Sequence, residues 1–164
     1  MKNEMEIIFD AVSDNESFAR VAVAAFVSKC DISVGELADI KTAVSEAVTN
    51  SIIHGYENLY GYVSPDGRPE EEKRVNPGKV QVRCVLEEDM LHIRVTDQGK
   101  GMDNVEQAME PLFTTRPELE RSGMGFAFME AFMDDLEVES TPGKGTVVTM
   151  RKKLGTDGWI DGEE

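Results

Sequence analysis

A chain of 164 residues, 40% hydrophobic and 30% charged, has room for one globular domain with a sizeable core and the composition of an ordinary water-soluble protein. Its formal net charge of −15 would repel a phosphate backbone, which argues against direct nucleic-acid binding and is compatible with a basic protein partner. The opening Met1-Lys2-Asn3-Glu4-Met5-Glu6 has no apolar stretch, and no apolar run approaches the roughly 18–20 residues of a spanning helix, so the reading is a cytoplasmic protein with no leader and no membrane contact.

In chain order, the loose alternation of Met5, Ile7 and Phe9 predicts a first strand over residues 4–12. Residues 16–29 place Phe18, Val21, Ala22, Ala25 and Phe26 at helical spacing, with Asp14 or Asn15 as N-cap. Ser33-x-x-Glu36 is a capping-box pattern opening a second, longer helix, striped by Leu37, Ile40, Val44, Ala47 and Val48 and running to about His54. The stretch from 58 to 79 holds Pro65, Pro69, Pro77 and the charge run 70–74, sustains no period, and reads as a long exposed loop. Two alternating strands follow, Val80 to Leu86 and Leu91 to Val95, joined through residues 87–90 as a hairpin. Residues 97–121 are irregular, 123–133 a short helix, and 136–140 and 146–153 two strands around Pro142-Gly143-Lys144-Gly145. The expected domain is 1–153, with a frayed tail over 154–164 in which Trp159 is the one anchor. Cys30 and Cys84 lack metal-type spacing and read as small buried hydrophobes in a reducing compartment. The order β-α-α-ββ-α-ββ predicts an α/β fold, an antiparallel-leaning sheet with helices on one face.

Three signals carry chemistry. Glu46, Asn50 and His54 are spaced by four on the second helix and so share a face, with Ala47, Val48 and Ile52 pointing elsewhere. A carboxamide can offer a neutral oxygen to Mg²⁺ while a neighbouring carboxylate accepts a proton, although a solvated helix face has the same spacing. Asp97-Gln98-Gly99-Lys100-Gly101 directly follows a strand. A carboxylate there can accept a hydrogen bond from the exocyclic amine of adenine, while the glycines supply positive φ and let backbone approach a flat base. An ordinary Asp-rich turn would read alike. Arg121-Ser122-Gly123-Met124-Gly125 opens the last core helix, where free N–H groups suit a triphosphate, and Thr114 and Thr115 precede it as possible phosphate caps.

Each signal alone is weak, but their order is specific. ExxxN on a helix, then a strand ending in DxGxG, then a loop closing on GxG and a helix resembles the N, G1 and G2 boxes of the GHKL ATPases. No GxxxxGK[ST] of a Walker A loop and no HRD or DFG of a eukaryotic-type kinase is present. Within that superfamily, Glu16-Ser17-Phe18-Ala19-Arg20, Val44-Ser45-Glu46-Ala47-Val48-Thr49-Asn50, His54-Gly55-Tyr56 and the run Pro111-Leu112-Phe113-Thr114-Thr115-Arg116 through Gly125-Phe126 look like the anti-sigma F factors of endospore formers. The resemblance covers most of residues 1–153 and fails over 60–79, where that family has a short turn, and in the tail.

The resemblance implies a GHKL (Bergerat-type) two-layer α/β sandwich that binds ATP with Mg²⁺ and forms a homodimer. It implies a protein that inhibits a sporulation sigma factor and phosphorylates a serine of an anti-anti-sigma factor. By the same carry-over Glu46 is the general base and Asn50 the Mg²⁺ ligand. Asp97, Gly99 and Gly101 hold adenine with Thr146 assisting, and Thr114, Thr115, Arg121, Ser122, Gly123 and Gly125 surround the phosphates. Arg20 is expected in the partner-contact surface. Three rival readings exist: a general-stress anti-sigma kinase of the same superfamily, a module that uses ATP only to order a lid, and a detached histidine-kinase ATPase half. The 111–126 run argues against the first, Glu46 against the second, and the absence of an H-box helix before the ATP site against the third.

Overall fold

The computed structural model describes residues 1–56, 78–110 and 125–155. Along the chain run β1 (Lys2–Asp10), α1 (Asp14–Val27), α2 (Val34–Asn50) continued by a π-helical turn (Ser51–Gly55), β2 (Lys79–Glu87), β3 (Met90–Asp97), a short α3 (Val105–Ala108), α4 (Gly125–Phe132), β4 (Asp135–Thr141) and β5 (Gly145–Lys153). The strands form one sheet in the order β1-β2-β3-β5-β4, every neighbouring pair antiparallel.

Period-two burial explains which face meets the helices. Phe9, Val80, Val82, Cys84, Leu91, Ile93, Val95, Val148 and Met150 are buried on one side, where they meet Val23 and Val27 of α1, Ile40, Val44, Ala47 and Val48 of α2, and Met129 of α4. Arg83 and Arg94 face outward. Across the outer edge, Arg83 of β2 donates to Glu4 of β1 at 2.9 Å and Lys79 pairs with Asp10. Exposed pairs of this kind add little to stability and serve mainly to favour register.

The capping box forms as expected: Glu36 N–H donates to Ser33 Oγ and Ser33 N–H to Glu36 Oε2, each at 3.0 Å. At α1 the cap position is Ser13, whose side chain makes no capping bond, rather than Asp14 or Asn15. Both of those lie inside the helix, and Asn15 instead donates back to Asp10 O at 2.9 Å. Lys152 is buried, and its Nζ donates to Phe132 O at 3.0 Å, which satisfies a carbonyl at the α4 terminus with a cation.

Some expected boundaries move. Lys79, read as the end of the loop, opens β2, and Gly78 already accepts from Ala11 N–H at 2.7 Å. Leu154, read as tail, is buried and donates its N–H to Asp89 O at 2.7 Å. The segment after Asp97, read as irregular, contains α3, capped by Asn104 Oδ1 on Gln107 N–H at 3.0 Å. The rest of the 58–79 loop and Trp159 lie outside the described residues.

Candidate functional site

The second helix positions the site because Ile40, Val44, Ala47 and Val48 of its apolar stripe are buried against the sheet, with Leu37 partly so, leaving its flank at the sheet's end. After Asn50 the helix widens into the π turn, whose i→i+5 bonding shifts the register of side chains that follow. Ser51, one α-helical turn past Ala47, and Gly55, at the end of the π turn, both meet Asp97. The Ser51 hydroxyl bonds the Asp97 carboxylate, and a Cβ on Gly55 would stand 2.8 Å from Asp97 Oδ1.

Asp97 ends β3 and is only 4% exposed. Burial pushes its carboxyl above the usual range, opposed by hydrogen bonds from the Gly99 backbone, the Ser51 side chain and the Thr146 backbone. It is a buried carboxylate kept in place by donors.

The turn after Asp97 is tied down at alternate amides. Gln98 N–H donates to Tyr56 Oη at 2.8 Å, Lys100 N–H to Gly55 O at 2.8 Å, and Met102 N–H to Ser140 Oγ at 2.8 Å. The two glycines have different reasons. Gly101 sits at φ +70, with Thr141 O 2.2 Å from where a Cβ would be. Gly99 has no positive φ; a Cβ there would lie 1.9 Å from Gly55 O, so close backbone approach requires it. Thr146, opposite Asp97 in the β3–β5 register, shares a 2.8 Å hydroxyl contact with Ser140.

These elements enclose a cavity of about 300 Å³, at the small end of ligand-sized pockets. Of the residues singled out in the sequence, Asn50, Asp97, Gly101, Gly125 and Thr146 line it, as does His54. Gly99 does not; it acts through Gly55 and Asp97. Ala47, expected to point elsewhere, also lines the cavity, because a buried position on this flank faces the sheet's end as well as the core. Glu46 faces a second groove, between α1 and α2, beside Arg20, Lys41 and Ser45. The two sides meet at Gly125, where a Cβ would stand 3.1 Å from Glu46 Oε2 and 3.2 Å from Asn50 Nδ2. Arg20 is held by Glu16 at 3.8 Å, and Glu16 in turn accepts from Ser45 Oγ. Thr114, Thr115, Arg121, Ser122 and Gly123 lie outside the described residues.

Several lining residues escaped the sequence reading. Val148 is two residues from Thr146 on β5, and alternation places it on the same face. Ser51 lies one α-helical turn beyond Ala47 and so shares its flank, but a lone serine at that position carries no motif signal. Met102, Asn104, Gln107 and Ala108 come from the α3 region, whose short helix has no sustained period. Among the described residues, no group of three or more His, Cys, Asp or Glu side chains is gathered to hold a metal by itself, and no helix is long and apolar enough to cross a membrane.

Residues 10–152 match the family described as "Histidine kinase-like ATPase domain". The chain is 54% identical over 152 residues to an anti-sigma F factor of Clostridium beijerinckii, covering 93% of this chain and 95% of that one. It is 52% identical over 155 residues to an anti-sigma F factor of Thermoanaerobacter pseudethanolicus, covering 94% and 96%. It is 50% identical over 154 residues to one of Bacillus licheniformis, covering 94% of each. Among solved structures, the RsbU and RsbW domains of a Mycobacterium tuberculosis protein superpose with a TM-score of 0.61 at 20% identity, over 93% of this chain and 32% of that chain, which shows a shared fold. Identity of half or more, sustained across nearly the whole of both chains, leaves no room for a fold-only likeness: this chain belongs to the histidine kinase-like ATPase family and, within it, to the anti-sigma F factors.

Proposed function

We propose that this chain is a cytoplasmic anti-sigma factor that restrains a sporulation sigma factor and uses Mg²⁺-ATP to phosphorylate a serine of an anti-anti-sigma factor. The observation that carries the chemistry is the meeting of Glu46 and Asn50 at Gly125, at the edge of a cavity floored by the buried Asp97.

The residues fit a purine nucleotide. Asp97 is an acceptor held by donors on one side and open to the cavity on the other, suited to the exocyclic amine of adenine. Thr146 and Gly101 flank it. The phosphates run toward Asn50 and the start of α4, where the first-turn N–H groups favour an anion. Thr114, Thr115, Arg121, Ser122 and Gly123 complete that end in this reading. With one carboxamide oxygen from Asn50 and no acidic cage among the described residues, a Mg²⁺ ion would be held largely by the phosphates and water, as this ion usually is. Bound there, it would neutralise phosphate charge.

Glu46 accepts the proton of the substrate serine as the serine oxygen bonds to the γ-phosphorus and the bond from that phosphorus to the β–γ bridging oxygen breaks, releasing ADP. The groove on Glu46's far side, lined by Arg20 and Lys41, is where the serine-bearing partner approaches. Arg20 belongs to that contact surface. Two chains associate through the α1 side: Phe18 and Val21, one turn apart, are 54% and 60% exposed, a poor arrangement for a lone α1 in water.

The test incubates the protein with γ-labelled ATP, Mg²⁺ and a purified anti-anti-sigma factor, and maps the product. Label on one serine of the partner is expected. Tight nucleotide binding with no transfer, in a sample that still binds sigma factor, would overturn the kinase reading and leave a nucleotide-gated binder.

A further inference from the structure

Tyr56 is the first residue beyond the π turn, and it does not line the cavity. Its hydroxyl donates to Lys79 O at 2.6 Å and accepts from Gln98 N–H at 2.8 Å. The β2–β3 register ends with Val80 opposite Asp97, so Lys79 and Gln98 form the next rung. The phenol stands in that rung: its oxygen accepts from the amide N–H and its O–H donates to the carbonyl. The strands are held apart there by one oxygen, and the chain after Asp97 is free to turn toward the cavity without losing a hydrogen bond. Its ring lies hard against Gly78, where a Cβ would be 2.0 Å from the ring carbon Cε1.

We infer that Tyr56 is a positioning residue for nucleotide recognition: by bridging Lys79 and Gln98 it fixes where the Asp97–Gly101 turn begins, and with it the direction of the Asp97 carboxylate. The inference rests on the reading of Asp97 as the adenine acceptor. The Gln98 amide belongs to the peptide that follows the Asp97 Cα, so a shift there turns the Asp97 main chain and moves the Gly99 N–H that donates to Asp97 Oδ1 at 3.0 Å, leaving Ser51 and Thr146 as the carboxylate's other donors. The tie at Lys100 to Gly55 O lies on the far side of Gly99, and so cannot by itself set the orientation of Asp97. Burial raises the phenol's pKa, which keeps it protonated, and therefore able to donate, at neutral pH.

The test titrates ATP and purine riboside 5′-triphosphate, which lacks the exocyclic amine, against the full chain, Tyr56→Phe, Gly78→Ala and the double variant. Tyr56→Phe keeps the ring and removes only the bridge. ATP affinity should fall about 3- to 10-fold, the range of one or two exposed hydrogen bonds. Affinity for the analogue should change less than about 2-fold, so preference for the amine narrows. Gly78→Ala displaces the ring and should act in the same direction, and the double variant should be no weaker than Gly78→Ala alone. In turnover, KM for ATP rises while kcat at saturation holds. Unchanged ATP affinity and preference in Tyr56→Phe overturn the inference. If the unaltered protein does not distinguish ATP from the analogue, the Asp97 reading is what fails. Amide exchange at Gln98 then judges Tyr56 separately: about tenfold faster exchange in Tyr56→Phe supports the bridge, and no change overturns it.

Discussion

Replacing Gly99 with alanine places a methyl group where the backbone of another element already is. The added carbon would lie 1.9 Å from Gly55 O, 2.3 Å from Gly55 C and 2.6 Å from Gly55 Cα. None of these atoms belongs to a flexible side chain, so either the π turn or the 97–101 turn must back away by roughly 1–1.5 Å to restore ordinary contact near 3.3 Å. That movement breaks the Lys100 N–H bond to Gly55 O and strains those of Gln98 to Tyr56 and of Gly99 to Asp97. Two or three such bonds at about 1 kcal/mol each give a loss of roughly 2–3 kcal/mol. Because the same movement shifts Asp97, ATP affinity should fall at least about tenfold. Gly143→Ala is the control, since its φ of +76 is strained for alanine but no atom lies within 4 Å of the new Cβ. It should cost only about 1 kcal/mol and leave ATP binding intact. Urea unfolding and calorimetric titration of both variants supply the numbers. A Gly99→Ala protein with unaltered stability and ATP affinity would refute the packing argument for this glycine.

Asp97→Asn replaces an acceptor oxygen with a donor facing adenine's own donor, and ATP affinity should fall by a factor equivalent to about 1–3 kcal/mol in calorimetry. The raised pKa of Asp97 also sets a pH trend: a carboxyl harder to ionise when folded stabilises most below its unfolded pKa, and that contribution drains away as pH rises through the folded value. The stability of the unaltered protein minus that of Asp97→Asn, measured by urea unfolding, should therefore shrink over that window, and a difference independent of pH contradicts the assignment. Burial pushes the Cys84 thiol up to about 12, while Cys30 is only partly buried, so brief alkylation of the folded protein should label Cys30 first, as read by peptide mass. Ser33→Ala removes one half of the α2 capping box and should cost about 1 kcal/mol, or a melting temperature lower by roughly 2–4 °C.

What the sequence revealed and what it hid follow from the range of the interactions involved. Alternation over β2 and β3 and the Ser33–Glu36 capping box are local, and they appear where expected. The spacing of Glu46, Asn50 and His54 predicts one shared face, but Glu46 faces the α1–α2 groove while Asn50 and His54 face the cavity. A face defined by four-residue steps drifts around the helix, and the cavity wall is narrower than that drift. The π turn was invisible because nothing in Ser-Ile-Ile-His-Gly distinguishes i→i+5 from i→i+4 bonding. DxGxG pointed to both glycines for positive φ, but only Gly101 has it. Gly99 is fixed by Gly55, 44 positions earlier, a contact no local pattern can encode. Tyr56 was visible only as part of a resemblance, since its partners Lys79 and Gln98 are far along the chain.

In the proposed mechanism phosphate passes to a serine whose proton is taken by Glu46. Glu46→Gln keeps the side chain's shape, its place beside Asn50 and Gly125, and its ability to hydrogen-bond, while removing the proton acceptor. Single-turnover phosphorylation of the anti-anti-sigma factor at saturating Mg²⁺-ATP, with nucleotide and sigma-factor affinities measured on the same samples, is the most direct test. Transfer slowed by about 10²–10⁴-fold with both affinities retained is the predicted result. Transfer at the unaltered rate would show that Glu46 is not the base.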